Sequence, residues 1–306
     1  MKYLLMFTTL ATLLSCNSYR LVERHIDKKM SSAELVIKTE VISGDTIEYW
    51  DNNADKPVAM LIHGFGASTK YQWYEQVKTL SKDYRVIAPN LFHFGNSRPG
   101  TAKFEIKHQM ELVHNLVEHL GIERMNLFGV SYGGLVSMEY AQNFESKLNK
   151  LVVFDAPVKY MYEKDIDTIC KRFDVESVQD LFVPTDAKEL KKLLYLALGK
   201  KSPVPNFMLK AFYDNVYSQN HKNKRELMTT LLAGLEEYAG HTYDFNTPTL
   251  LVWGDTDMVV PVERAPLIKR HIGENAELHI IKNGAHMPNL TKTKQFNRIV
   301  KEFLTR

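Results

Sequence analysis

The stretch Met125-Asn126-Leu127-Phe128-Gly129-Val130-Ser131-Tyr132-Gly133-Gly134 decides the fold. Its first residues form a short apolar run of strand length, and the segment from Tyr132 to Phe144 carries helical periodicity. Between them lies a Gly-x-Ser-x-Gly sequence, so a serine stands on a sharp turn from strand to helix. The flanking glycines have no Cβ to obstruct such a turn, and Gly134 extends the small-residue face. The start of the helix aims backbone N–H groups and a positive dipole end at negative charge developing beside Ser131. A serine hydroxyl is a weak nucleophile, so Ser131 in this role needs a base from elsewhere in the chain.

Outward from this stretch, short continuous apolar runs alternate with amphipathic segments, the signature of a mostly parallel sheet flanked by helices. The strand candidates are Val58 to Ile62, Arg85 to Ala88, Met125 to Val130, Leu151 to Phe154, Thr249 to Trp253 and Glu277 to Ile281. Helical periodicity marks Lys70 to Leu80, Phe104 to Leu120, Val262 to His271 and Lys292 to Leu304. Before them, Glu34 to Val41 and Asp45 to Trp50 flank Ser43-Gly44 and predict an antiparallel hairpin at the sheet edge. One interruption, from about Val158 to Asp244, has no comparable apolar run and predicts a helical insertion. Lys191, Lys192, Lys200, Lys201 and the stretch His221 to Arg225 make it basic, and their expected place is a solvated face.

Two further loops carry residues suited to serine chemistry. His286, in Asn283-Gly284-Ala285-His286-Met287-Pro288, follows the last apolar run, where ligand chemistry gathers in open α/β sheets. It is last in the chain order Ser, Asp, His, the expected order for this constellation, and is the candidate general base. The acid should follow an intermediate strand, and Thr249 to Trp253 runs into Gly254-Asp255-Thr256-Asp257-Met258-Val259-Val260-Pro261, where two aspartates compete. His63-Gly64-Phe65-Gly66 follows the run Val58 to Ile62 and supplies a further part. A tetrahedral intermediate needs backbone N–H donors, and Phe65 and Tyr132 are the candidates; losing one such donor typically costs about 100- to 1,000-fold in rate. His63 itself is expected to be a structural hydrogen-bonding residue.

Together these segments resemble the α/β-hydrolase superfamily over roughly residues 34 to 304. The resemblance implies an α/β-hydrolase fold with cores at 34–157 and 245–306 and a helical cap at 158–244 that covers the site and shapes the substrate pocket. The family segment reads Gly, two residues, Asp, an apolar pair and Pro, which assigns the acid to Asp257. Asp255 is left to hydrogen-bond its own turn. The family loop Asp-x-x-Gly-x-Gly-x-Ser corresponds to Asn90-Leu91-Phe92-His93-Phe94-Gly95-Asn96-Ser97, with departures at Asn90 and His93. The activity implied is hydrolysis of a small-molecule carboxylic ester through Ser131, His286 and Asp257 and an acyl-enzyme, with no metal or organic cofactor required. The same triad also serves carbon–carbon bond hydrolases and cofactor-free haloperoxidases, and a third reading is a non-catalytic binding protein that kept the fold. Serine at the elbow sets the chain apart from the capped epoxide hydrolases and haloalkane dehalogenases, which place Asp there.

The N-terminus adds a setting. Met1-Lys2-Tyr3 leads into the apolar run Leu4 to Leu14, which reads as an export signal over residues 1–15. As a helix this run would cover roughly 16 Å, against a hydrocarbon core of about 30 Å. Leu13-Leu14-Ser15-Cys16 resembles the lipobox of bacterial lipoproteins, which implies lipidation at Cys16 and anchoring in the bacterial cell envelope. Residues 17 to 33 are polar and charged and are expected to be a spacer, with folding beginning near residue 34. Cys170, the other cysteine, is expected to be a small, partly buried residue and not a catalytic thiol. With 39 basic and 36 acidic residues the net charge of +3 offers no electrostatic footprint for nucleic acid.

Overall fold

In the computed structural model, which describes residues 19–159 and 161–306, eight strands form one sheet. They are β1 (Val36–Ile42), β2 (Asp45–Asp51), β3 (Val58–Ile62), β4 (Arg85–Pro89), β5 (Met125–Val130), β6 (Leu148–Phe154), β7 (Thr249–Gly254) and β8 (Ala276–Ile281), in the spatial order β1-β2-β4-β3-β5-β6-β7-β8. β1 and β2 are the edge hairpin, with Ile42 opposite Asp45; Ser43 and Gly44 both take positive φ, as the two-residue turn that matches strand twist requires. β2 pairs antiparallel with β4, and every neighbouring pair from β4 to β8 is parallel. The sequence expectation of a mostly parallel sheet flanked by helices, the α/β-hydrolase fold, is met.

A parallel strand covered on both faces must be apolar on both, which is why the central strands β3, β5 and β7 read as continuous runs. Their alternate side chains divide between two layers. Met60, Ile62 and Leu127 join one core, while Ala59, Leu61, Phe128 and Val130 join the other.

The helices are α1 (residues 19–31), α2 (Thr69–Trp73), α3 (Val77–Leu80), α4 (Ile106–His119), α5 (Tyr132–Asn143), α6 (Glu163–Phe173), α7 (Val178–Phe182), α8 (Ala187–Leu198), α9 (Asn206–Phe212), α10 (His221–Ala233), α11 (Leu235–Gly240), α12 (Ala265–Ile272), α13 (Pro288–Thr291) and α14 (Thr293–Leu304). α1, α2, α3 and α14 bury side chains in one core, α4, α5 and α12 in the other. The segment Lys70 to Leu80, expected as one helix, is two short ones. Between Val158 and Asp244, α6 to α11 and a π turn at Tyr213–Tyr217 occur, and no strand is present among the described residues.

Two expectations need correction. Residues 19–31 are not an unstructured spacer: α1 packs on the sheet layer of Trp73 and Phe303, with Met30 only 1% exposed. Val22, Ile26 and Met30 recur every fourth residue and so share one helix face, a period that the surrounding charges conceal. Burying Ile26 and Met30 contributes roughly 1.5–3 kcal/mol each. The charges serve docking as well: Lys70 pairs with Glu23 at 2.6 Å and Asp27 at 3.1 Å, and the Tyr71 hydroxyl donates to Glu23. The export signal and Cys16 lie outside the described residues.

The second correction concerns Lys224, which is not on a solvated face. It shares the buried face of α10 with Leu227, Met228 and Leu231 and is 5% exposed. Its Nζ lies 5.4 Å from the Phe94 ring centre and 3.4 Å from the Tyr217 carbonyl oxygen.

Candidate active site

Ser131 sits between β5 and α5 at φ 51°, a left-handed conformation that costs a non-glycine residue of order 1–3 kcal/mol and is retained only where the surroundings enforce it. The surroundings do so. A Cβ on Gly129 would collide with the Ser137 side chain and the Gly133 carbonyl, and one on Gly133 would collide with the His63 carbonyl. The Ser131 N–H donates to Phe154 O at 3.0 Å, which ties the elbow to the end of β6.

Three strand ends converge on this serine. His286 Nε2 lies 2.9 Å from Ser131 Oγ, and His286 Nδ1 lies 2.9 Å from Asp257 Oδ2 and 3.1 Å from Oδ1. Asp257 is held in turn by the backbone N–H groups of Val259 at 2.7 Å and Val260 at 3.1 Å, both donating to Oδ1. A carboxylate only accepts, so Nδ1 carries the imidazole proton and Nε2 is left to accept from the serine O–H. Both side chains are buried, so the pair is shielded from competing water.

Asp255 is not brought to the histidine. It does not cap its own turn as expected, either: its Oδ1 is buried with no hydrogen-bond partner among the described residues, and Thr256 Oγ1 bonds Gly284 O instead.

The loop after β3 lies against the elbow, with an added Cβ at Gly64 falling 3.3 Å from Ser131 Cβ. Tyr132 is the first residue of α5, and a helix leaves its first N–H groups without intrahelical acceptors. His63 lies in the core: Leu91 N–H donates to its Nε2 at 3.0 Å, and its Nδ1 is 2.7 Å from Gly64 O. Burial pushes its pKa down to about 4, so it is neutral at pH 7 and spans two loops as a donor and an acceptor. Phe65 packs edge-on to Tyr132 and Phe94.

The departures in the 90–97 loop have local reasons. Asn90 Oδ1 accepts from Thr69 N–H while its Nδ2 donates to buried Glu48, an arrangement that a second carboxylate could not make. His93 takes φ 74°, and its ring stacks on Phe104. Cys170 is a free, half-buried thiol whose pKa burial raises, which keeps it protonated.

One carboxyl at the site escaped the sequence reading. Asp155 follows β6 directly, is fully buried, and accepts from Gly254 N–H at 3.0 Å through Oδ1. Burial and the negative charge of Asp257 hold its carboxyl well above the usual carboxylate range, and its Oδ2 is buried without a hydrogen-bond partner among the described residues. The available signal was its place: like Ser131 it comes immediately after an apolar run.

Two apolar chambers meet at Ser131. One, of about 240 Å³, reaches from Ser131 and His286 past α8 and α9 to α1, where Val22 and Ile26 line it. The other, of about 50 Å³, lies under α6 and α10, among Met161, Ile169 and Met228.

A family model described as alpha/beta hydrolase fold matches residues 57–293. Among curated relatives, Lipase 3 of Moraxella sp. (strain TA144) is 27% identical over 305 residues, covering 97% of this chain and 92% of its own. Monoacylglycerol lipase ABHD6 of Bos taurus is 25% identical over 257 residues, covering 81% and 75%. Among solved structures, a bacterial membrane phospholipase A superposes with a TM-score of 0.81 at 22% identity, covering 100% of this chain and 98% of its own, a likeness of fold.

Proposed function

The chain belongs to the α/β-hydrolase family, and from that premise we propose that it cleaves carboxylic esters, with Ser131 as nucleophile, His286 as general base and Asp257 as the acid that orients the imidazole. The observation that carries this is the continuous hydrogen-bonded path from Ser131 Oγ through both ring nitrogens of His286 to Asp257. Similarity to a lipase over nearly the whole chain supports the ester as substrate.

In this mechanism Ser131 Oγ attacks the ester carbonyl as its proton passes to His286 Nε2. Asp257 stays ionised and stabilises the imidazolium. The oxyanion is held by the N–H groups of Phe65 and Tyr132. His286 then returns the proton to the departing alkoxide, and water, activated by the same imidazole, releases the acid. The apolar walls around Ser131 suit an ester with aliphatic substituents.

The sequence before α1 supports an enzyme exported and tethered to the bacterial cell envelope by lipid at Cys16. Labelled fatty acid should enter the wild type and not Cys16→Ser; equal incorporation would rule the anchor out. For the chemistry, a panel of p-nitrophenyl esters should be turned over by the wild type and not by Ser131→Ala. A folded protein inert toward every ester would turn attention to carbon–carbon or peroxyacid chemistry.

A further inference from the structure

We infer that α1 is a wall of the substrate pocket, and that the chamber it closes takes an extended aliphatic chain whose permitted length Val22 and Ile26 set. This rests on the ester-hydrolase reading and adds to it a substrate class, long-chain esters, together with two specificity-determining residues outside the catalytic motifs.

The geometry begins at the nucleophile. Phe65, Ser131, Phe182 and Val259 line both chambers, so a substrate held at Ser131 extends one substituent into each. The larger chamber is about 240 Å³ against about 50 Å³, and only it reaches α1. An ester bound across the serine therefore places its longer aliphatic part toward Val22 and Ile26. Among the described residues no Lys, Arg, Asp or Glu side chain lines that chamber, and its walls include Leu194, Ala197, Phe212 and Leu290. Such walls desolvate methylene groups favourably, by about fourfold in kcat/KM for each one that leaves water, and offer a charged substituent nothing.

α1 is fixed well enough to act as a wall. Glu23 and Asp27 bind Lys70, and Glu23 also accepts from Tyr71, on the core side. Tyr19 meets the Phe212 ring of α9 at 6.3 Å, and Tyr71 meets the same ring at 5.3 Å, so α1, α2 and α9 close on one another around an aromatic contact. Ile26 is buried, whereas Val22 lines the chamber and is still 48% exposed, which places it at the mouth. Leu21 beside it is 63% exposed.

The test is a comparison of esters within each protein. The ratio of kcat/KM for p-nitrophenyl palmitate to that for p-nitrophenyl butyrate should fall at least tenfold in Val22→Trp. Loss of folded protein cancels from this ratio. An unchanged ratio would overturn the proposal. A second measurement does not use turnover: Val22→Cys is treated with hexadecanesulfonyl fluoride or methanesulfonyl fluoride, whose sulfur is attacked by Ser131 Oγ with loss of fluoride, and then with a thiol reagent. Peptide masses should show residue 22 protected at least fivefold by the hexadecyl group relative to the methyl group. Equal modification after both would overturn the chamber assignment while leaving the serine chemistry standing. Absence of any sulfonyl adduct on Ser131 would remove the ester-hydrolase reading, and the chamber with it.

Discussion

The strand ends that carry Ser131 and His286 reach the same cavity as α1 by opposite means. Ser131, Asp257 and His286 stand on backbone turns that admit few residue types: the elbow has room only for glycine at positions 129 and 133, and Asp257 accepts two N–H donors from its own loop. To the cavity α1 contributes the apolar side chains of Val22 and Ile26, a task that Val, Ile, Leu or Met could each perform. In the proposed mechanism chemistry thus rests on a few positions, whereas pocket shape is spread over many replaceable ones. Substitution should expose that difference.

The largest effect is expected at the triad. Ser131→Ala should lower kcat by at least about 10⁴-fold, and Asp257→Asn by about 10⁴-fold because the amide favours the wrong imidazole tautomer. Asp255→Asn should stay within a few-fold of wild type. Steady-state kinetics on one ester checks all three, and a crippled Asp255→Asn beside an active Asp257→Asn would reverse the assignment of the acid. At the other pole, Met30→Ala should cost about 2–5 kcal/mol in urea unfolding, because a buried methionine leaves a cavity. A cost near zero would mean that α1 is not docked in solution.

The contrast also explains what could be read from sequence. The sheet was legible because central strands buried on both faces must be apolar throughout; the loop carrying Ser131 was legible because it follows such a run, and the loop carrying His286 because it follows the last strand, half-exposed at the sheet edge, and completes the order Ser, Asp, His. The choice of Asp257 over Asp255 needed the family pattern, since residue type alone does not tell which carboxylate turns inward. α1 was not legible: its four-residue period is carried by Val22, Ile26 and Met30 among Arg20, Glu23, Arg24, Asp27 and Lys28, and charge dominates the composition. Lys224 was misread for the converse reason, as a charged residue standing on an apolar face.

Those buried bases give the smaller predictions. His63 is neutral in the fold but protonates below about pH 6.5 when unfolded. The unfolded chain therefore binds more protons between about pH 6.5 and pH 4, and stability must fall as pH drops through that window, by up to roughly 3 kcal/mol. His63→Gln, which can still accept from Leu91 N–H, should flatten this part of the pH–stability curve; an unchanged slope would place the acid sensitivity elsewhere. Burial lowers the pKa of Lys224 to about 8, so holding its charge costs stability below pH 8, and the cost fades as pH rises toward 10.5. Lys224→Met should raise the melting temperature at pH 7 by the equivalent of about 1–3 kcal/mol, with the gain shrinking by pH 10. A lower melting temperature at pH 7 would show that the contacts to Phe94 and the Tyr217 carbonyl outweigh desolvation.

The central claim is that His286 and Asp257 activate Ser131, and mapping a fluorophosphonate adduct tests it most directly. The folded protein should carry one adduct, on the peptide containing Ser131, and His286→Ala should form it far more slowly. A folded wild type that takes no adduct, or takes it on another residue, would contradict the account.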